Sequence, residues 1–199
     1  MIQLNSEQED VLSELMNMGV GRASATLNEM IGHHIRLHVP KVQLIRKEDL
    51  KQYVTYNEYE SLSSVQMGFQ GHFDGNAVLV FPQEAASILV SSLTDEPQGS
   101  PDMNELKSGT LTEIANILIN GVMGTMANFL DVRLNYSVPD YLECDVKHLS
   151  SLGGSNARIL LAEASFTIDE LKVQGDILLF FHISSFQNLL LCIDRELAV

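Results

Sequence analysis

The sequence is poor in basic residues and in cysteine, and it has no tryptophan. Its 12 Lys and Arg residues are outnumbered by 26 Asp and Glu residues, which gives a formal net charge of −14 at pH 7. Because binding to nucleic-acid phosphates or to an anionic membrane surface requires clustered cations, this balance argues against both partners. Cys144 and Cys192 lie in apolar or mixed runs. They indicate two buried free thiols in a reducing compartment, with a disulfide as the minor alternative.

Long apolar runs and targeting signals are also missing. No apolar stretch approaches the roughly 20 residues that cross a bilayer. The N-terminus has no basic region followed by an apolar stretch, so no signal peptide is predicted. We therefore expect a soluble, cytoplasmic protein. With 199 residues, 45% of them apolar, the chain is long enough for one folded domain and too apolar for disorder over most of its length.

Apolar periodicity predicts the elements of the first half of the chain. Ser6 and Glu9 are typical of a capping box, and apolar residues then recur at helical spacing from Leu12 to about Ile31. The next predicted elements are a strand at 35–40, two strands within 65–81 around an Asp74-Gly75 hairpin turn, and a short helix at 83–93.

After a polar, breaker-rich linker at 95–102, the same order of elements returns. It consists of a helix at 103–130, a strand at 132–138, two strands at 158–168 and 172–181, and a helix from about Ser185. Self-similarity over most of the chain predicts one domain made of two repeats, about 1–94 and 103–199, with approximate two-fold symmetry. Each repeat is too small to bury its own apolar faces. We therefore expect an α+β fold in which the repeats share a mainly antiparallel sheet with two long helices packed on it.

A polar stripe runs along each predicted long helix. At about 100° per residue, Asp10, Glu14 and Asn17 lie within about 60° of one another, opposite the apolar face that must pack on the sheet. A shift of 99 residues places Glu14 on Glu113 and Asn17 on Asn116. A single exposed Glu/Asn pair is usually only solvated. Asparagine is a mediocre helix former, so its presence at two equivalent positions, each three residues after Glu, favours a functional site.

The spacing of these residues resembles the motif of CheC-type phosphatases, which belong with CheX and FliY. That motif is Asp or Ser, three residues, Glu, two residues, Asn, 22 residues and Pro. Asp10, Glu14, Asn17 and Pro40 fit it in full.

A second copy of the motif is formed by Glu113, Asn116 and Pro139, with Gly109 at the place of Asp or Ser. Two copies in one chain resemble CheC more than CheX, and no residues remain for the flagellar-switch domain that FliY proteins add.

The resemblance implies hydrolysis of the phospho-aspartate of a CheY-type response regulator, in chemotaxis or another two-component pathway. The implied catalytic residues are Glu14, Asn17, Glu113 and Asn116, with Asp10 and Gly21 in supporting or partner-binding roles. The asparagine amide would position a water molecule, and the glutamate would pair with a lysine of the regulator. The chain would need no cofactor of its own, because Mg²⁺ would belong to the regulator.

The first site is expected to outrank the second. Gly21, one turn beyond Asn17, leaves room for a partner, whereas Asn120 at the equivalent place narrows that room. A metal site at His33, His34 and His38 is disfavoured, because adjacent histidines on a turn usually point apart and no Cys or acidic cluster accompanies them.

Two other functions stay open at this point. The chain is alternatively a binding module that sequesters a phosphorylated regulator or engages a CheD-like deamidase, or a structural protein related to flagellar-switch components. Because a duplicated chain already provides internal symmetry, we expect a monomer.

Overall fold

A seven-stranded antiparallel sheet organises the described part of the chain in the computed structural model. The structure describes residues 4–31, 35–54, 56, 60–152, 157–168 and 171–198. The helices are α1 (Ser6–Ile31), α2 (Leu50–Tyr53), α3 (Gln83–Thr94), α4 (Met103–Phe129), α5 (Val146–Leu149) and α6 (Ile183–Leu197), with a 3₁₀ turn at Lys47–Asp49. The strands are β1 (Ile35–Arg46), β2 (Leu62–Gly71), β3 (Gly75–Pro82), β4 (Leu134–Tyr136), β5 (Asp140–Cys144), β6 (Arg158–Ile168) and β7 (Leu171–Phe181).

The two halves of the chain exchange their edge strands. The strand order is β1-β6-β7-β3-β2-β4, and β5 also pairs with β2. The pair β3–β7 lies at the centre, β1 of the first half pairs with β6 of the second, and β4 and β5 pair with β2. The predicted α+β fold with a mainly antiparallel sheet is confirmed. The duplication and its boundaries at 1–94 and 103–199 stay a prediction, with which this order agrees.

The central strands are buried on both faces, so they are runs of apolar residues rather than alternating ones. The larger core lies between the sheet and the helices α1, α3, α4 and α6. At its centre the Phe181 ring packs edge-on against Phe69 and Phe186, with ring centroids 5.4 and 5.8 Å apart. A smaller core on the opposite face is covered by residues of α2 and α5. None of the described helices combines the length and apolar character that crossing a membrane requires.

The α1 cap differs from the predicted one. The helix begins at Ser6, but the reciprocal bonds are made by Asn5 and Gln8 instead of Ser6 and Glu9. The Gln8 N–H donates to Asn5 Oδ1 at 2.8 Å, and the Asn5 N–H donates to Gln8 Oε1 at 3.1 Å. Asparagine caps helices as well as serine does. The capping box therefore lies one residue earlier than the sequence predicts.

Each long helix also begins with a buried polar residue that binds an acid on a neighbouring element. Gln8 Nε2 donates to Asp194 Oδ1 of α6 at 2.7 Å. Lys107, 4% exposed, lies 3.4 Å from Glu143 Oε1 of β5. These contacts fix the first turns of both helices to the rest of the domain.

The predicted strands are wrong at two places. The strand expected at 132–138 is reduced to β4, and β5 was not predicted, because both are short and largely polar. Strand β1 does not end at Pro40. It continues to Arg46 through a register shift between His38 and Lys41, which is where a residue without an N–H is tolerated on an edge strand.

A large apolar side chain near the end of each long helix is exposed. Met30 is 58% exposed and Phe129 is 43% exposed. Each lies in the last turn of its helix, where the side chain is left to solvent.

The long helices α1 and α4 cross at two glycines. A Cβ atom on Gly19 would lie 2.5 Å from the Cα atom of Val122, and one on Gly121 would lie 2.8 Å from the carbonyl oxygen of Gly19. Arg22 Nη1 donates to Thr125 Oγ1 at 3.3 Å across the same interface. The two backbones touch so closely that a side chain has no room between them. This crossing fixes the polar stripe of one helix relative to the other.

Alanine substitutions at Gly19 and Gly21 should have opposite effects on stability. Gly19→Ala forces the helices apart and should lower the free energy of unfolding by about 1–3 kcal/mol. A Cβ atom on Gly21 would meet no atom within 4 Å, so Gly21→Ala should raise the free energy of unfolding by roughly 0.5–1 kcal/mol through helix propensity. Urea denaturation measures both. Equal effects of the two substitutions would contradict the close crossing.

A buried carboxyl group lies on the sheet face opposite the long helices. Asp176 of β7 is 7% exposed and pairs across strands with Glu163. Burial raises the pKa of Asp176 from 3.8 to about 6, opposed by a hydrogen bond from Tyr56 and reinforced by the charge of Glu163. Burial beside Asp176 likewise raises the pKa of the Tyr56 hydroxyl.

Stability should therefore fall as the pH rises from about 4 to about 6. In this window folded Asp176 keeps a proton that the unfolded chain has released, so the unfolding free energy drops by up to about 3 kcal/mol. Asp176→Asn should remove this part of the pH dependence, and Glu163→Gln should only narrow the window. Chemical denaturation at a series of pH values tests this. An unchanged profile in Asp176→Asn would refute it.

Candidate functional site

The first Glu/Asn pair lies on the outer face of α1. Asp10, Glu14, Asn17 and Gly21 are all exposed. The opposite face of the helix is buried in the main core and includes Leu12, Leu15, Met16, Val20 and Ala23. The helical period of the sequence therefore places these polar residues where another protein can reach them.

The polar stripe of α1 is shorter than its sequence suggests. Ser24 Oγ donates to the carbonyl oxygen of Ile35 at 2.9 Å, and the Ile35 N–H donates to Asn28 Oδ1 at 2.5 Å. Ser24 and Asn28 thus hold the start of β1 on the helix. The part of the stripe that remains for a partner runs from Asp10 to Gly21.

The second pair has the same phase on α4. Glu113 is exposed and Asn116 is partly exposed. Farther along this stripe, Met123 and Ala127 are buried, because α4 lies deeper in the fold than α1. The accessible part of the second stripe is therefore confined to the helix turns around Glu113 and Asn116.

Asn17 makes one bond to its own helix. Its Nδ2 donates to the carbonyl oxygen of Ser13 at 3.0 Å, at an exposed position. This bond uses one of the two amide hydrogens. The second hydrogen and Oδ1 make no hydrogen bond within the part of the chain that the structure describes. An exposed bond of this kind exchanges with water at a net cost of only about 1 kcal/mol, so the amide can turn towards a partner.

Asn116 is held differently. Its Oδ1 accepts a hydrogen bond from Asn120 Nδ2 at 2.8 Å. The equivalent position on α1 is Gly21, around which a Cβ atom would meet nothing within 4 Å. The second site is therefore both narrower than the first and occupied by its own neighbour.

A cavity of about 600 Å³ lies beside Glu113, between the end of α3 and the first turns of α4. Its lining includes Gly109, the position at which the second motif copy departs from the pattern. A Cβ atom on Gly109 would meet no atom within 4 Å. Apart from this glycine, the sequence held no signal for the cavity, because its walls come from two separate helices.

The two pairs consist of amide and carboxylate side chains. Among the described residues, no group of three or more His, Cys, Asp or Glu side chains is placed to hold a metal ion. His33 and His34 lie outside the described residues, and His38 is exposed on β1. What the pairs offer is an amide that donates and accepts hydrogen bonds, next to a carboxylate. Such groups can position a reaction whose reacting atoms are supplied by another molecule.

Comparison with known proteins connects this geometry to one family. The model of the CheC-like family matches residues 7–44, a segment that holds Asp10, Glu14, Asn17 and Pro40. The protein "CheY-P phosphatase CheC" of Bacillus subtilis (strain 168) is 24% identical over 140 residues. That alignment covers 69% of this chain and 66% of the relative, just under two thirds of its length.

Solved structures share the fold over almost the whole chain. Thermotoga maritima FliY has a TM-score of 0.76 at 15% identity, covering 98% of this chain and 100% of that one. CheX in the Borrelia burgdorferi CheX–CheY–BeF₃–Mg²⁺ complex has a TM-score of 0.54 at 18% identity, covering 85% and 99%. The chain is similar to proteins of the CheC/CheX/FliY family.

Domains of FliM share the fold as well. The FliM middle domain of H. pylori has a TM-score of 0.65 at 10% identity, covering 95% of this chain and 99% of that one. At such identities the likeness shows the fold alone. The activity of this chain therefore has to be argued from its own residues.

Proposed function

We propose that this chain is a phosphatase that stimulates hydrolysis of the phospho-aspartate of a CheY-type response regulator. The observation that carries the proposal is the pair of Glu/Asn motifs, exposed Glu14 with Asn17 and exposed Glu113 with the partly exposed Asn116, in the same phase on two helices that cross at glycines. The name of the Bacillus subtilis relative and the CheY bound to the Borrelia burgdorferi CheX support the substrate class.

The asparagine is the group that acts on the reaction. In the regulator's site its amide oxygen accepts a hydrogen bond from a water molecule, and the amide N–H orients that water or a phosphoryl oxygen. The water oxygen attacks phosphorus, the bond from phosphorus to the aspartyl oxygen breaks, and inorganic phosphate and a free carboxylate result. The transition state is loose, so positioning of the water supplies most of the acceleration. Mg²⁺, which neutralises the phosphoryl charge, is supplied by the regulator.

The glutamate sets the docking position. Glu14 and Glu113 lie one helical turn before their asparagines and are exposed. Each pairs with a lysine next to the regulator's phosphoryl group, and this fixes the distance from the amide to phosphorus. Docking removes both charges from water, so the pair is worth one to a few kcal/mol at most. The excess of acidic residues in the chain favours approach of such a basic surface.

The first site is the stronger of the two. Asn17 has free hydrogen-bonding capacity and an open neighbour at Gly21. Asn116 must first break its bond with Asn120, and Asn120 occupies the space that a partner would use.

A binding module without catalysis is the second candidate, which either sequesters the phosphorylated regulator or engages a CheD-like deamidase. The bond between Asn116 and Asn120 favours it for the second site, because an amide already committed to a neighbour docks without offering a positioned water. The two candidates differ in one measurable quantity, the rate at which phosphate is released.

Substitution of both asparagines should abolish the stimulated reaction. With Asn17→Ala and Asn116→Ala combined, release of inorganic phosphate from a phosphorylated CheY-type regulator should fall to the regulator's own rate, because no amide positions the water. Asn17→Ala alone should cost more than Asn116→Ala alone. Asn104→Ala on the exposed surface of α4 is the matched control and should keep full activity.

The same assay decides between the candidates. A folded double variant that retains the full stimulated rate would sink the mechanism. A wild-type chain that binds the phosphorylated regulator without accelerating phosphate release would favour the binding module.

Release of Asn116 from its neighbour should strengthen the second site. In an Asn17→Ala background, where only the second site can act, Asn120→Ala frees Asn116 Oδ1 and opens the space that Gly21 leaves in the first site. We expect the rate of phosphate release to rise several-fold. This rise corresponds to the about 1 kcal/mol that an exposed hydrogen bond is worth. A fall in rate would show instead that Asn120 orients Asn116 for the reaction.

A further inference from the structure

The cavity beside Glu113 has the form of a binding site for an apolar group. Its volume, about 600 Å³, lies within the range of protein sites that enclose small ligands or several side chains. Leu93, at the end of α3, and Leu106 and Ile114, on α4, line it. These are apolar side chains that face one another across the gap between two helices.

Acidic residues surround the same cavity. Asp102, Glu105 and Glu113 are among its lining residues and all three are exposed. An apolar lining bordered by carboxylates fits a group that combines an apolar side chain with a positive charge. It does not fit an anion, which the carboxylates would repel.

The cavity is continuous with the second Glu/Asn site. Glu113 belongs to both, and Gly109 lies one turn before it without a side chain to separate them. Position 109 is where the motif expects Asp or Ser, so a larger residue there would project into open space beside the cavity. A protein docked over Glu113 and Asn116 therefore reaches the cavity without leaving the helix.

We propose that the cavity seats a segment of the response regulator that carries an apolar side chain next to a lysine or arginine. The inference rests on the proposed function, because it takes the regulator as the partner that docks over Glu113. The apolar side chain enters between α3 and α4, and the basic residue pairs with Glu105 or Asp102. At the second site Asn120 crowds Asn116 and so weakens docking there. Binding in the cavity restores part of that affinity.

Filling the cavity from the α3 side tests the proposal without altering the Glu113 face. Thr94→Phe places a ring in the cavity, whose lining includes Thr94. Ser92→Phe is the matched control, because Ser92 lies on the same helix, is equally half-buried, and also donates its hydroxyl to the carbonyl oxygen four residues before it, at 2.9 Å in both cases. Affinity for a beryllofluoride-activated CheY-type regulator is measured in a Glu14→Ala/Asn17→Ala background, in which the first site has lost both its docking carboxylate and its amide. Thr94→Phe should weaken it roughly ten-fold, and Ser92→Phe should leave it unchanged.

A charge pair of variants checks the acidic border and does not depend on core packing. Glu105→Gln should weaken the same binding and make its salt dependence shallower. Glu84→Gln removes an equal charge from the first turn of α3, at the end remote from the cavity, and should change neither.

Three outcomes would overturn the proposal. Equal affinities for Thr94→Phe and Ser92→Phe, both folded by circular dichroism, refute the cavity while leaving the phosphatase proposal intact. Equal effects of Glu105→Gln and Glu84→Gln refute the basic partner. If the chain without these substitutions does not bind the activated regulator, both the inference and the proposed function fail.

Discussion

The close contact between α1 and α4 at Gly19 and Gly121 is the constraint on which the candidate sites depend. It presses the two long helices together at backbone distance and so determines where each outer face points. The helices cannot slide or rotate without bringing a Cα atom or a carbonyl oxygen into collision. The Glu/Asn pairs are consequently rigid features of the scaffold, and any adaptation on docking falls to their side chains. Positioning of a water molecule requires this kind of support, since small displacements cost much of the rate.

The strongly periodic parts of the fold could be predicted from the sequence. Both long helices, the hairpin of β2 and β3 and the two strands β6 and β7 lie close to their expected places because each buries a continuous apolar face. The short elements β5, α2 and α5 could not be predicted, and β4 was predicted too long, since their few residues form regular structure only by pairing with or packing on the rest of the domain. The order of the strands could not be predicted either, because the pairing of β1 with β6 joins residues that are more than a hundred positions apart in the sequence.

The position of the candidate site could be predicted from the sequence, but the hydrogen bonds and the cavity around it could not. The helical period shows that Glu14, Asn17 and Glu113 face outwards, and this needs only the apolar stripe on the other side. It does not show that Asn116 accepts a bond from Asn120, that Ser24 and Asn28 are engaged by β1, or that a cavity opens at Gly109. Each of these depends on which rotamer or which neighbouring element occupies the space. The two motifs are therefore similar in sequence but present different surfaces to a partner.

The exchange of edge strands restricts how such a protein can change over evolutionary time. Strand β1 completes the sheet of the second half, and β5 completes that of the first. Deletion of either half would therefore remove an edge strand from the other half and destabilise it. The polar stripe of either long helix can therefore change only residue by residue, because the helix itself must be retained for folding. Gly109 and Asn120 are the positions at which the stripe of α4 differs from Asp10 and Gly21 of α1. The outer face of α4 can thus come to recognise a different partner while its buried face is retained for folding.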